Sequence, residues 1–222
     1  MVMDVDNASI VHVMRHGQVE NPTGVLYGRL PGFGLSALGR EMAERMGQYW
    51  AEVPLTHLRC SPLQRAQETM APTAARHADL TITPDERVIE AENRFEGMIF
   101  GRDNAALRDP KMFWHMRNPL RPSWGEPYAD IAARMRAAIT DAAEAAGPGG
   151  QALVVSHQLP IWISHLAALG RSFVHDPRRR RCTLCSVTSF TVRSGRITGV
   201  SYAEPVADLL PSTSKRKFKV GT

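Results

Sequence analysis

Cysteine is scarce in this chain of 222 residues, which contains only Cys60, Cys182 and Cys185. A set that is both small and odd does not suggest a disulfide framework. Cys182 and Cys185 form a Cys-x-x-Cys pair, but the sequence supplies neither a second pair nor suitably spaced histidines for structural zinc. The residues from Cys185 onward, CSVTSFTV, indicate a strand, whereas a thioredoxin-like site would open a helix. The pair therefore lacks the remainder of a functional site.

Long apolar runs are also missing, and none approaches the length that crosses a bilayer. The first ten residues, MVMDVDNASI, carry acidic residues where a signal peptide needs basic ones, and no apolar segment follows them. We therefore expect a cytoplasmic protein that makes no contact with a membrane.

Much of the net charge of +5 lies in two basic runs, Arg178–Arg181 and 215–219. Neither run carries the interleaved series of aromatic residues on which single-stranded nucleic acids stack. Basic runs of this kind are more often solvated surface, or attract anions in general. We expect no nucleic-acid partner, and a substrate that bears phosphate is compatible with the charge.

Strands and helices alternate along the chain, which predicts an α/β fold. Strands are predicted at 10–14, 56–60, 80–83 and 152–156, with a hairpin at 184–193 and 196–202. Helices are predicted at 36–51, 61–76 (bent or broken near Pro72), 128–146 and 160–169. We expect a three-layer sandwich, with a mostly parallel central sheet flanked by helices on both faces.

The chain shows no internal repeat or linker, so residues 1–210 are predicted to form a single domain. Residues 84–126 are irregular and rich in proline, and we interpret them as an insertion that covers the site, with one or two short helices between 103 and 117. The last residues, 211–222, are polar and basic, which is typical of a flexible tail.

Four polar side chains lie just after predicted strands: Arg15, His16, His157, and Arg65 in the first turn of the helix that follows its strand. In open α/β sheets, ligands bind beyond the carboxyl ends of the strands. The sequence therefore predicts that these four side chains converge. Each has a plainer interpretation as a capping or surface residue, and only their combination favours a site.

The chemistry of these residue types suits phosphoryl transfer. An unprotonated imidazole nitrogen can attack phosphorus, and the planar fork of arginine meets two phosphate oxygens at once. Expulsion of an alkoxide also needs an acid. The segment Glu90–Gly97 offers three carboxylates for that role, Glu90, Glu92 and Glu96.

Taken together and in this order, four motifs resemble the histidine phosphatase superfamily, whose fold is phosphoglycerate mutase-like. They are RHG at 15–17, SPLQRA at 61–66, an acidic segment ending in FEG at 95–97, and VSH at 155–157. The resemblance extends from about residue 10 to 160. It implies a phosphatase that hydrolyses a phosphomonoester through a phosphohistidine, without a metal or another cofactor.

The resemblance also implies roles for particular residues. His16 would be the nucleophile, Arg15 and Arg65 would bind the phosphoryl group, and His157 would complete the pocket. Glu90 matches the family's proton donor, because Val-Ile-Glu parallels the family's Leu-Arg-Glu.

Other positions match the family less closely. Glu92 stays open as an alternative donor, since Arg94 stands where the family usually has glycine, and Glu96 would support the loop. Gln18 and Asn21 would contact the phosphate or the leaving group, although the family's asparagine usually comes one residue later. Leu35 and Gly39 resemble packing residues of the family.

Two other functions remain open at this stage. A phosphoglycerate-type mutase shares the first chemical step with a phosphatase, and a non-catalytic protein that binds phosphorylated ligands could keep the fold. We favour the phosphatase, because Met98, Met112, Trp114, Met116 and Trp124 make the segment 98–126 more like a hydrophobic lid than a sugar-phosphate pocket. The expected partner is a small phosphorylated substrate, and the segment 98–126 could pair two subunits in a homodimer.

Overall fold

The computed structural model describes residues 7–99 and 125–210, and a single six-stranded sheet forms its centre. The strands are β1 (Ser9–Arg15), β2 (Leu55–Cys60), β3 (Ile82–Pro84), β4 (Gln151–Ser156), β5 (Val187–Arg193) and β6 (Arg196–Ala203). Their order is β3-β2-β4-β1-β5-β6, and the first four are mutually parallel. The β5–β6 hairpin adds to β1 in the antiparallel direction. The predicted α/β sandwich with a mostly parallel sheet is confirmed.

Four helices flank the sheet: α1 (Ala37–Ala51), α2 (Gln64–Arg76), α3 (Tyr128–Ala146) and α4 (Gln158–Ala168). Side chains alternate between the two faces along each strand. Val11 and Val13 of β1 join the core beneath α3 and α4, whereas Met14 joins the core beneath α1 and α2. In β4, Val154 and Val155 separate in the same way. A strand buried on both faces explains why its sequence is a continuous apolar run.

Helix α2 differs from its prediction in two respects. It begins at Gln64 rather than at residue 61, and the residue before it, Leu63, makes no side-chain cap. It also continues through Pro72 to Arg76, so of the predicted bend or break at this proline the break is wrong, and the bend stays a prediction. Pro72 packs closely against Gly47 of α1, which has no side chain to obstruct the contact.

The β5 strand begins later than predicted, at Val187 rather than 184. Cys185 has a φ of 53°, in the left-handed region that interrupts an extended strand. The Cys182–Cys185 pair therefore lies in the turn before β5.

Two glycines allow α1 to approach the loop that follows β1. A Cβ on Gly39 would lie 2.0 Å from the carbonyl oxygen of Gln18, and one on Gly17 would lie 2.8 Å from the carbonyl oxygen of Gly39. Ser36 caps the helix by accepting the N–H of Gly39 at 3.0 Å. This close packing fixes the backbone directly after His16.

Several predictions fall on residues 100–124 and 211–222, outside the described part of the chain. They include the short helices between 103 and 117, the residues Met112, Trp114, Met116 and Trp124, and the basic tail. The single-domain organisation also stays a prediction. Within the described residues, no helix combines the length and apolar character needed to span a membrane.

We predict that Gly39→Ala destabilises the protein by about 1–3 kcal/mol, as overpacking usually does. Alanine ordinarily stabilises a helix relative to glycine by roughly 0.5–1 kcal/mol, so the contact with the carbonyl of Gln18 must reverse the sign. Urea unfolding measures the change. Gly199→Ala is the control, because its added Cβ meets only Thr191, at 3.4 Å. Equal stability of the two variants would contradict the packing that we describe.

Candidate active site

The ends of the parallel strands meet at one edge of the sheet. Arg15, the last residue of β1, lies opposite Ser156, the last of β4, so His16 and His157 follow on neighbouring strands. Cys60 ends β2 opposite Val155, which places Ser61 beside them. The imidazole centroids of His16 and His157 are 5.2 Å apart. The structure therefore brings together the residues whose convergence the sequence predicted.

His16 is buried, with 1% of its surface exposed. Its Nδ1 lies 2.8 Å from the carbonyl oxygen of Gly17, which can only accept, so Nδ1 carries the proton. Nε2 is then left with a free lone pair. Burial, together with the charges of Arg65 and Arg15, holds the pKa of His16 well below its usual value, which keeps the imidazole neutral.

Arg15 and Arg65 are buried cations, 4% and 1% exposed. Arg15 Nη1 donates to the carbonyl of Cys182 at 2.8 Å, and Arg65 Nη2 donates to the carbonyl of Gly28 at 2.7 Å. Over residues 7–99 and 125–210, no carboxylate forms an ion pair with either guanidinium, and the Nε atom of each has no hydrogen-bond partner. Both side chains therefore retain donors for an anion.

The ring of Tyr27 packs against the guanidinium of Arg65. The guanidinium carbon of Arg65 lies 4.8 Å from the centre of the Tyr27 ring, within the range of a cation–π interaction. Burial lowers the pKa of Arg65, while Tyr27 and Glu90 act in the opposite direction. Arg65 is therefore fixed in position by its aromatic neighbour and the carbonyl of Gly28.

His157 is fully buried, and its Nε2 lies 2.8 Å from Ser61 Oγ. Burial, followed by the charge of Arg65, keeps the pKa of His157 well below its usual value, so this imidazole is also neutral. When the Ser61 hydroxyl donates to Nε2, the ring proton resides on Nδ1, which has no partner within the described residues. In that tautomer, His157 has a neutral N–H donor that remains available to a ligand.

The three candidate acids have different surroundings. Glu90 is partly buried, accepts the N–H of Ala91 at 2.9 Å, and lies near enough to Tyr27 and Arg65 to act on their pKa values. The side chain of Glu92 is 70% exposed and pairs with Arg29 at 3.1 Å. Glu96 accepts the backbone N–H of Arg29 at 3.0 Å and supports the loop. Glu90 and Glu96 both act on the pKa of Arg65, and neither forms an ion pair among the described residues. Glu96 is engaged by the backbone of Arg29, so Glu90 stays the better match to the proton donor that the resemblance implies.

Two arginines hold the segment that carries Glu90. Arg29 Nε donates to the carbonyl of Glu90 at 2.7 Å, and its Nη2 pairs with Glu126 at 3.2 Å. Arg134 of α3 donates from Nη1 to the carbonyls of Arg87 and Ile89, at 2.6 and 2.9 Å. The backbone on both sides of Glu90 is therefore anchored.

Gln18 and Asn21 have structural contacts. Gln18 Oε1 accepts the Ser36 hydroxyl at 2.8 Å, beside the start of α1. Asn21 bonds to the backbone of Val25 through both ends of its amide, at 2.9 and 3.1 Å. Their predicted contact with a ligand stays a prediction, and Gln18 retains its amide nitrogen for one.

Sequence reasoning missed several residues of the site. Tyr27 and Arg29 lie in a loop without periodicity, so nothing local marks them. The contribution of Cys182 is a backbone carbonyl, which residue type does not reveal. Ser61 belongs to the SPLQRA motif, but nothing in the sequence marks the contact of its hydroxyl with His157. Both cysteines of the Cys-x-x-Cys pair are buried, and burial raises the pKa of Cys182 to about 11 and that of Cys185 to about 12, which leaves them as thiols.

Known proteins similar to this chain were found by family and by sequence. The family model of the histidine phosphatase superfamily (branch 1) matches residues 11–205. Uncharacterized protein Rv0525 of Mycobacterium tuberculosis is 52% identical over 197 residues, which are 89% of this chain and 96% of that protein.

Solved structures share the fold at low sequence identity. A mycobacterial glucosyl-3-phosphoglycerate phosphatase, Rv2419c, has a TM-score of 0.70 and 22% identity, over 88% of this chain and 96% of that one. A phosphoglycerate mutase from Bacillus anthracis has a TM-score of 0.66 and 20% identity, over 89% and 92% of the two chains. With the match of the family model, these similarities show that the chain belongs to the histidine phosphatase superfamily and has its phosphoglycerate mutase-like fold.

Proposed function

We propose that this protein is a phosphatase that hydrolyses a small phosphomonoester through a phosphohistidine on His16. The observation that carries the proposal is a neutral, buried imidazole with a free Nε2 beside two buried guanidinium groups that no carboxylate neutralises among the described residues. Such a cluster supplies a nucleophile and the cations that hold a phosphoryl group around it.

In the first step, His16 Nε2 attacks phosphorus in line and forms the P–N bond while the P–O ester bond breaks. Arg15, Arg65 and the His157 Nδ1–H donate to the equatorial oxygens, where charge is spread in the transition state. Glu90 gives its proton to the departing oxygen, so the leaving group departs as an alcohol.

In the second step, water attacks the phosphohistidine. Glu90, now ionised, accepts a proton from that water, the P–N bond breaks, and its electron pair returns to Nε2. Phosphate leaves and His16 is regenerated in its neutral form. The same cationic cluster offsets charge in both steps, so we propose that the reaction needs no metal.

The central test is phosphate release from a panel of phosphomonoesters with EDTA present. We expect release by the native protein and none by His16→Ala, because alanine cannot carry the phosphoryl group. His57→Ala is the matched control, since His57 lies partly exposed on β2, outside the cluster. Full release by a folded His16→Ala protein would remove the proposed nucleophile.

A mutase shares the first step but retains a second phosphate and excludes water. Isomerisation of 3-phosphoglycerate, primed with a bisphosphoglycerate, separates the two reactions. We expect phosphate release without robust isomerisation. Robust isomerisation would instead assign the mutase reaction to this site.

The role of Glu90 is tested by leaving-group dependence. We predict that Glu90→Gln slows alkyl phosphates by about 100-fold or more, the usual contribution of a general acid. It should slow p-nitrophenyl phosphate far less, because that leaving group needs little protonation. Glu92→Gln is the control and should change both rates only slightly. If Glu92→Gln shows the selective loss and Glu90→Gln does not, the acid is Glu92.

The protonation state of His16 is open to a direct test in the free protein. The pKa of His16 lies well below 6.5, the usual pKa of histidine. Its imidazole should therefore stay neutral as the pH falls from 8 to 6.5. We expect ¹⁵N NMR in a phosphate-free buffer to show a protonated Nδ1 and an unprotonated Nε2 throughout this range. A resonance pattern of the doubly protonated ring at pH 7 would contradict the electrostatic account.

A further inference from the structure

The four arginines of the run Arg178–Arg181 do not share one environment. Arg178 is 71% exposed and pairs with Asp176 at 2.9 Å, and Arg179 is also exposed. Arg181 lies over the ring of Tyr202, with its guanidinium carbon 5.0 Å from the ring centre. Arg180 alone turns inward, and it is partly buried.

Arg180 is held in one orientation by a short chain of hydrogen bonds. His175 Nδ1 lies 2.7 Å from the carbonyl of Phe173 and must donate to it, so His175 Nε2 is an acceptor. Arg180 Nε donates to that nitrogen at 2.8 Å. A neutral partner on Nε orients the guanidinium without neutralising its charge.

The guanidinium of Arg180 lies beside the catalytic cluster. Its Nη1 is 3.5 Å from Oε1 of Gln158, the residue that directly follows His157. Two residues further along the chain, the carbonyl of Cys182 binds Arg15. Through Gln158 and the segment that ends at Cys182, Arg180 therefore flanks the cluster. Burial lowers the pKa of Arg180, while Tyr128 and then Glu90 act in the opposite direction.

Arg180 is also uncompensated. Across the described residues, no carboxylate forms an ion pair with it, in contrast to Arg178. A partly buried guanidinium without a counter-ion binds an incoming anion strongly, because folding has already removed part of the water around it. The transferred phosphoryl group is bound by Arg15 and Arg65, so Arg180 is free for a different anion.

We propose that Arg180 forms a subsite for a second anionic group, carried by the leaving group of the substrate. The inference rests on the proposed phosphatase function and narrows its substrate class to phosphomonoesters whose alcohol part bears a carboxylate or a further phosphate. Because Arg15 and Arg65 hold the transferred phosphoryl group, a cation that flanks the cluster beside Gln158 meets the leaving group.

The test compares three esters on one three-carbon skeleton. Glycerol 3-phosphate has a neutral leaving group, 3-phosphoglycerate adds a carboxylate, and glycerol 1,3-bisphosphate adds a phosphate. We expect the native protein to prefer 3-phosphoglycerate, glycerol 1,3-bisphosphate or both over glycerol 3-phosphate. The ester with the higher kcat/KM identifies the anion that the subsite binds. Arg180→Gln should lower kcat/KM for the preferred ester by roughly 10–100-fold, mainly through KM, the usual effect of losing a charge-assisted hydrogen bond.

Two comparisons separate binding from structure. Arg180→Gln should leave glycerol 3-phosphate within about threefold of native, since that ester makes no use of the subsite. Arg178→Gln, which makes the same change at an exposed position, should leave all three esters unchanged. Equal losses on all three esters, or no loss on any, would overturn the subsite. Arg180→Lys keeps the charge and should retain part of the preference. This second variant tests the subsite if Arg180→Gln does not fold.

Calorimetric binding to His16→Ala protein separates this inference from the proposed function. We expect that protein to bind the preferred ester more tightly than glycerol 3-phosphate, and Arg180→Gln to abolish the difference. A preference in binding without any turnover by native protein would keep the subsite and remove the phosphatase. Turnover by native protein, with equal affinity of His16→Ala for all three esters, would keep the phosphatase and remove the subsite.

Discussion

The constraint on which the site depends is the burial of two guanidinium groups without a carboxylate partner among the described residues. Moving such an ion out of water costs several kcal/mol even after the protein relaxes. The carbonyls of Cys182 and Gly28 offset part of that cost for Arg15 and Arg65. In the proposed function, an anionic substrate would supply the remainder. Burial and the same charges hold the pKa of His16 below its usual value, so the arrangement that would attract phosphate also leaves the proposed nucleophile its lone pair.

Among the described residues, two carboxylates lie near enough to Arg65 to act on its pKa, Glu90 and Glu96, and neither forms an ion pair with it. The cations stand on the ends of buried strands, but Glu90 stands on a loop that Arg29 and Arg134 hold by its backbone carbonyls. Arg29 also pairs with Glu92 and Glu126, and Arg134 pairs with Glu126 as well. These pairs tie the loop of Glu90 to helix α3, so their contribution is to hold the segment that carries the proposed acid.

The sequence was sufficient for the features that repeat or that follow a strand. The apolar runs of β1 and β4 predict two-sided burial, and this places His16 and His157 next to each other once the strands pair in parallel. The sequence was insufficient where a contact joins distant parts of the chain without a pattern. Arg29 meets Glu90 and Arg180 meets Gln158 only through loop conformation, and no periodicity marks either pair. The positive φ of Cys185, which delays β5, is likewise invisible in a run of strand-forming residues.

The most direct measurement of the central claim is to stop the reaction within one turnover and find where the phosphoryl group is attached. The account predicts a phosphorylated native protein whose label is lost in acid but stable in alkali, and which mass spectrometry of the peptides maps to His16. Label on any other residue, or burst-phase release of phosphate with no labelled protein at any time, would contradict it.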